Sequence, residues 1–200
     1  MKIILDNGHG IETPGKRSPD GILREWAYNR LISEDIFIAL RKKGQEPVLL
    51  VPENTDISLR ERVRRANKIY REEHGNAILI SIHINASGNG KEWKLPTGWS
   101  CYTSVGDTKA DLLAEQLCLA AEKYLPGHRL RWDISDGDRD QERDFYILRK
   151  TLAPAVLSEN LFMDAKSDYE FLLTDEGRKA IVDLHVEGIV NYLNTLKDQS

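Results

Sequence analysis

This chain of 200 residues is predicted to adopt an α/β fold. We expect a single three-layer domain over residues 1–200, with a twisted, mostly parallel sheet and helices on both faces. Three apolar runs, at 3–5, 77–84 and 154–157, are too short for typical helices and indicate buried strands. Segments with helical apolar spacing lie between them. The hydrophobic content of 40% and the charged content of 30% suit one globular domain of this length.

The predicted elements alternate along the chain. A helix at 23–43 is followed by Gly44, a frequent residue just beyond a helix end. Asp56 and Asp107 are each predicted to cap the start of a further helix, and Thr174 is predicted to start the last one. Short apolar or β-branched runs predict the remaining strands, at 47–51, 98–103, 145–148 and 155–159.

Ionisable residues end three of these strands. The first strand leads into Gly8-His9-Gly10, where we expect the glycines to permit a sharp backbone turn. The strand that begins at residue 77 reaches His83, and the strand at 155–159 ends on Glu159. Open α/β sheets place their chemistry at the carboxyl ends of their strands. We therefore expect the two imidazoles and the carboxylate to share one site.

Composition excludes some classes of partner. The net charge of −4 argues against nucleic-acid binding, because nucleic-acid-binding domains are usually basic. Asp6 interrupts the first apolar run, so we predict neither a signal peptide nor stable membrane insertion, and we expect synthesis in the cytoplasm.

The two cysteines, Cys101 and Cys118, lack the C-x-x-C spacing of a metal site and are interpreted as small buried hydrophobic residues. The question of a disulfide between them stays open.

Four arginines cluster on the second predicted helix, at Arg60, Arg62, Arg64 and Arg65. Such a cluster can form an anion-binding patch. Because Glu61 lies among the arginines, a solvated surface with mixed charges is the favoured interpretation.

Taken in order, several motifs resemble those of the zinc-dependent N-acetylmuramoyl-L-alanine amidases with an amidase-3 type catalytic domain. The resemblance runs from Lys2 to about Leu193. Asn7 stands where that family usually has proline, and residues 160–164 differ from its usual sequence after the last strand. The matching segments are Asp6-Asn7-Gly8-His9-Gly10, Glu25, Leu59 with Arg62, Ala66 and Asn67, Ser81-Ile82-His83-Ile84-Asn85, Tyr146-Ile147-Leu148-Arg149, and Pro154-Ala155-Val156-Leu157-Ser158-Glu159.

The resemblance implies a chemistry for these residues. His9, Glu25 and His83 would bind a catalytic Zn²⁺, whose usual site has three nitrogen or oxygen ligands and one open position. Glu159 would act as the general acid/base. The implied substrate is peptidoglycan or soluble muropeptides, cleaved at the amide between N-acetylmuramic acid and L-alanine. Without the two histidines, Glu25 would be interpreted as a surface residue that complements the helix dipole.

Two other functions fit parts of this pattern. A zinc exopeptidase acting on free peptides would need more ligands for its usual two-metal site than can be assigned here. A non-catalytic wall-binding module would be expected to lack a ligand or the catalytic acid, yet all four positions are present. For an amidase made in the cytoplasm, we expect action on the cell wall after release by lysis or after non-classical export. Oligomeric state, regulation and stem-peptide preference stay open.

Overall fold

The computed structural model describes residues 1–135 and 137–198, and these form one six-stranded sheet in the order β2-β1-β3-β6-β4-β5. All neighbouring strands are parallel except β4 and β6, which are antiparallel. The strands are β1 (Lys2–Asn7), β2 (Glu46–Leu49), β3 (Ala77–Asn85), β4 (Ser100–Thr103), β5 (Gln141–Glu142) and β6 (Ala155–Phe162).

Helices cover both faces of this sheet. In chain order they are α1 (Glu25–Lys42), α2 (Leu59–Glu72), α3 (Asp111–Tyr124), α4 (Tyr146–Lys150), α5 (Lys166–Leu172) and α6 (Asp175–Asp198). Helices α1, α3, α5 and α6 contribute to one apolar core, and α2 and α4 contribute to the other. The predicted fold class, a three-layer α/β domain with a mostly parallel sheet, is confirmed.

The pleat of the strands divides their side chains between the two cores. Ile3 and Leu5 face the core to which α1 contributes, whereas Ile4 faces the core to which α2 contributes. In β3, Ile78 and Ile80 likewise face one core and Leu79 the other. Successive residues of a strand point to opposite faces, so both sets are buried. Each fully buried side chain of this size contributes about 1.5–3 kcal/mol, which explains why these strands are almost wholly apolar.

One predicted strand is wrong. Residues 145–148 were expected to be extended, but Tyr146–Lys150 form the short helix α4. Ile147 and Leu148 are buried against the core under α2. A short apolar run has no periodicity that separates a strand from a buried helical turn, so packing decided the conformation. The strand at this edge of the sheet is Gln141–Glu142 instead.

The predicted cap of α2 is also wrong. The N-cap is Ser58, whose Oγ accepts a hydrogen bond from the Glu61 amide at 3.3 Å. Asp56 lies two residues earlier, and its Oδ2 accepts a hydrogen bond from the Thr13 hydroxyl at 2.6 Å. Asp56 therefore ties the loop after β1 to the start of α2 rather than capping the helix.

The predicted cap of α3 is wrong, and the predicted start of α6 is correct. Asp107 does not cap α3, because the helix begins at Asp111, whose carboxylate accepts hydrogen bonds from the amide and hydroxyl of Thr108 at 2.7 and 2.6 Å. The start of α6 is confirmed. Thr174 precedes the helix, and its Oγ1 accepts the Gly177 amide at 2.9 Å.

Two expectations from composition can be compared with the structure. Cys101 and Cys118 are both buried and unpaired, so the interpretation as buried hydrophobic residues is confirmed. Over residues 1–135 and 137–198, every helix is too short or too polar to cross a membrane.

A buried polar network connects α6 to the sheet behind the carboxyl end of β3. The fully buried His185 places Nδ1 2.7 Å from the Ile181 carbonyl, which can only accept, so Nδ1 carries the proton. Its Nε2 then accepts from the Ser158 hydroxyl at 2.8 Å. Asn160 donates to Ser158 at 3.1 Å and to the His83 carbonyl at 2.9 Å. This network requires His185 to be neutral.

Burial lowers the pKa of His185 to about 4, against 6.5 for an ordinary histidine. The unfolded chain therefore takes up a proton that the folded chain excludes. The stability due to neutral His185 is complete above pH 6.5 and is lost as the pH falls towards 4, by up to about 3 kcal/mol. We expect the unfolding free energy of the wild type, minus that of His185→Gln, to shrink over this range in denaturant titrations. A difference that does not change with pH would contradict this assignment.

Candidate metal and hydrolytic site

The strand pleat brings polar side chains to one face of the sheet at its carboxyl edge. On the face towards α2, Ile4 of β1 is followed by Asp6, and Leu79 of β3 is followed by Ser81 and His83. In β6, Leu157 on this face is followed by Glu159. His83 and Glu159 are direct partners in the register between β3 and β6. Because side chains alternate between the two faces of a strand, the polar residues at the ends of these three strands lie on the same face and form one cluster.

His9 lies in the turn after β1 and has a left-handed backbone, with φ of 64°. The positive φ lies on the histidine, and the glycines on either side were expected to permit the sharp turn. The glycines permit the turn because a side chain at either position would collide with its neighbours. A Cβ on Gly8 would lie 2.2 Å from the His83 ring, and a Cβ on Gly10 would lie 2.1 Å from the Asp56 amide nitrogen. Any larger residue at either position would displace these neighbours.

Glu25 is the first residue of α1 and only 1% exposed. Its Oε1 lies 3.1 Å from His83 Nδ1 and 3.3 Å from His9 Nε2. The same oxygen accepts the Ile84 amide at 3.2 Å. One carboxylate thus contacts both imidazoles, and the three side chains predicted as ligands come together.

The geometry and chemistry of this group fit a divalent metal. One donor atom from each of His9, Glu25 and His83 can be chosen so that all three lie within 4.8 Å of one another. Two imidazoles and one carboxylate are a usual ligand set for catalytic zinc. The second oxygen of Glu25 is buried and has no hydrogen-bond partner among the described residues, with the Lys16 ammonium 3.8 Å away. Their role as ligands stays a prediction.

The pKa of Glu25 is lowered and that of His83 is raised, in each case against the effect of burial. Burial alone would raise the pKa of Glu25, but hydrogen bonds to His83 and His9 outweigh it and hold that pKa well below its ordinary value. Burial alone would lower the pKa of His83, but its hydrogen bond to Glu25 and the negative charge there raise it. The carboxylate is therefore ionised and available to a cation at neutral pH.

Glu159 lines the same cleft as His9 and His83. Burial raises its pKa to about 7, although the charge of His83 opposes this shift. Its Oε2 is buried and has no hydrogen-bond partner among the described residues. A carboxyl group that titrates near neutral pH can both accept and donate a proton, as a general acid/base must. This role of Glu159 also stays a prediction.

The site opens into a cleft of about 420 Å³. The cleft has a charged floor, which includes His9, His83 and Glu159, with Lys16 beside it. One wall is apolar and comes from the start of α2, from the region of α4 and from β6. Its residues are Ile57, Leu59, Phe145, Tyr146, Ile147 and Leu157.

Arg62 was interpreted as part of a solvated surface, and that interpretation is wrong. It is 2% exposed, and its Nη1 donates to Asp6 Oδ1 at 2.6 Å. The other oxygen of Asp6 accepts the Ser81 hydroxyl at 2.7 Å. Breaking a buried ion pair of this kind typically costs about 3–5 kcal/mol. The helical spacing of Arg62 with Leu59 and Ala66, on the apolar side of α2, was the signal in the sequence that could have identified it.

The structure therefore brings together all four residues predicted from the sequence. It also adds residues that sequence reasoning did not assign to the site. The additions are Asp6, Lys16, Ser81 and Arg62 in the cleft lining, and the apolar wall.

Comparisons with known proteins agree with this arrangement. A family model described as N-acetylmuramoyl-L-alanine amidase matches residues 3–191. The chain is 27% identical to the endolysin of Bacillus phage SPP1, over 98% of the chain and 67% of the endolysin. It is also 27% identical to the sporulation-specific N-acetylmuramoyl-L-alanine amidase of Bacillus subtilis (strain 168), over 100% of the chain and 71% of that protein.

The fold is likewise similar to that of a solved amidase. The N-acetylmuramoyl-L-alanine amidase from Clostridium difficile 630 superposes with a TM-score of 0.81 and 26% identity, over 97% of both chains. The family match covers nearly the whole chain, and it agrees with the motifs, the fold and the clustered site residues. The chain belongs to the N-acetylmuramoyl-L-alanine amidase family.

Proposed function

We propose that this protein hydrolyses the amide bond between N-acetylmuramic acid and L-alanine in peptidoglycan, with zinc bound by His9, Glu25 and His83. The observation that carries the proposal is the convergence of these three donor atoms within 4.8 Å, in a cleft that Glu159 also lines. Membership of the amidase family supports the choice of bond.

The bound zinc and Glu159 would have different roles in the reaction. A zinc ion held by the three ligands would lower the pKa of a water molecule towards about 7 and polarise the scissile carbonyl. Glu159 would accept the proton of the attacking water and return a proton to the departing amine of L-alanine. Its raised pKa of about 7 suits both transfers near neutral pH.

The rival exopeptidase has less support. A two-metal site needs a second group of ligands close to the first. Among residues 1–135 and 137–198, His9, Glu25 and His83 are the one group of three or more potential ligands whose donor atoms lie this close.

The first prediction of this proposed function concerns metal content. The purified protein should bind about one zinc ion per chain, and His9→Ala or His83→Ala should abolish stoichiometric binding, because two ligands leave the ion under-coordinated. Elemental analysis after dialysis measures this directly. His74→Ala is the matched control, since His74 is exposed and outside the cleft lining, and it should keep its zinc. Full zinc content in either ligand variant would remove the proposed site.

The second prediction separates proton transfer from metal binding. Glu159→Gln should keep zinc and fold but lose turnover by at least about 10²-fold, because the amide is nearly isosteric but cannot accept a proton. Turnover is measured on purified peptidoglycan beside the zinc content of the same sample. Activity within about tenfold of the wild type would assign the acid/base role to another group.

The third prediction concerns the bond that is cut. Purified peptidoglycan and soluble muropeptides are digested with and without a chelator, and the products are identified by mass spectrometry. We expect intact stem peptides with a new amino-terminal alanine, separated from an uncut glycan strand, only when metal is present. Cleavage of free peptides with muropeptides left intact would favour the exopeptidase. No product from any substrate would favour a wall-binding module.

A further inference from the structure

His9 combines a predicted metal ligand with an unfavourable backbone. Only three described residues other than glycine have positive φ, and His9 is the one that lines the cleft. A side chain with a Cβ is disfavoured in the left-handed region, so such a residue persists only where its surroundings hold it there. What holds His9 in this conformation therefore matters for the site.

Two guanidinium groups converge on the carbonyl oxygen of His9. Arg30 of α1 donates from Nη1 at 3.0 Å, and Arg62 of α2 donates from Nη2 at 3.1 Å. Rotation about either backbone bond of His9 would carry this oxygen away from at least one of the two donors. The carbonyl is thus fixed from two helices that lie on opposite faces of the sheet.

Both arginines are themselves anchored. Arg30 is 8% exposed, and it donates to the Glu53 carbonyl at 2.7 and 3.0 Å and to the Trp26 carbonyl at 3.0 Å. Arg62 donates to the Ile57 carbonyl at 2.7 Å, besides its ion pair with Asp6. A planar guanidinium held at several points offers its remaining N–H group in a fixed direction.

We propose that Arg30 and Arg62 are positioning residues that hold His9 in its left-handed conformation and so set the affinity of the site for zinc. This inference rests on the proposed role of His9 as a metal ligand. Groups that orient a ligand histidine typically contribute 10–100-fold to metal affinity, because they remove the need to order the ligand when the metal binds. Here the orienting contacts act through the backbone of the histidine.

Arg30 is the better of the two residues to change. Loss of Arg62 would leave the carboxylate of Asp6 buried without its partner, and the chain could unfold for that reason alone. Arg30 donates only to backbone carbonyls among the contacts described, so its replacement leaves no carboxylate unpaired.

Arg65 provides a matched control. It also anchors the segment after β2, through the Leu50 carbonyl at 3.1 Å and the Glu53 carboxylate at 2.7 Å. It has no described contact with His9 and does not line the cleft. Arg65→Gln therefore removes an arginine anchor on this segment without removing a donor to the His9 carbonyl.

The experiment compares Arg30→Gln, Arg65→Gln and the wild type. Zinc is removed, the melting temperature of each metal-free protein is recorded, and the zinc dissociation constant is measured by competition with a chromophoric chelator. We expect Arg30→Gln to bind zinc about 10–100-fold more weakly. We expect Arg65→Gln to stay within about twofold of the wild type.

Two outcomes would overturn the proposal. One is zinc affinity for Arg30→Gln within about twofold of the wild type. The other is an equal loss of affinity in both variants, which would indicate a general effect on the fold. If Arg30→Gln does not fold, Arg30→Lys keeps a cation but not the planar fork, and wild-type affinity in that variant would overturn the proposal equally. A wild type that binds no zinc would instead refute the proposed metal site.

Discussion

The buried carboxylate of Glu25 is the constraint on which the site depends. An ionised group that is only 1% exposed is costly unless charged or hydrogen-bonding partners compensate for the water it has lost. Its partners come from two other places in the chain, the turn after β1 and the end of β3. Glu25, His9 and His83 are therefore compatible with the folded state only when α1, the turn and β3 meet at one edge of the sheet.

The architecture makes this meeting possible. Parallel strands end at the same edge, and β1, β3 and β6 are neighbours in the sheet. The pleat then selects the face, so that His83 and Glu159 both point towards the side covered by α2 and α4. The apolar interior of each strand stabilises the sheet, and the polar residue at its end is placed without interrupting the core.

Support for the site extends well behind the residues that line it. The carbonyl of His9 accepts from two buried arginines, and the carbonyl of His83 accepts from Asn160, which is linked through Ser158 to α6. Gly8 leaves the space that the ring of His83 occupies. The hydrogen bonds satisfy the backbone carbonyls of His9 and His83 and hold these two residues in place.

The sequence by itself determined the fold class and the four candidate site residues. The apolar runs are too short for typical helices and indicate buried strands, and a histidine or glutamate at the end of such a run needs a partner. Glu25 ends no such run and was identified through the resemblance to the amidase family. The sequence did not determine the fate of short or mixed segments. Residues 145–148 have no decisive periodicity, and packing made most of them part of the helix α4. Ser58 caps α2 in place of Asp56, which the sequence predicted.

Tertiary structure decided the features that depend on distant residues. Arg62 is buried with Asp6, 56 residues away, as its partner of opposite charge. Its helical spacing with Leu59 and Ala66 indicated a buried side of α2, but only the folded chain shows which group compensates its charge. His9 is held in its left-handed conformation because Arg30 and Arg62 fix its carbonyl, while Gly8 and Gly10 leave room for the chain around it. Local sequence states which conformations a residue prefers, but only the packed chain provides the contacts that hold it in one it does not prefer.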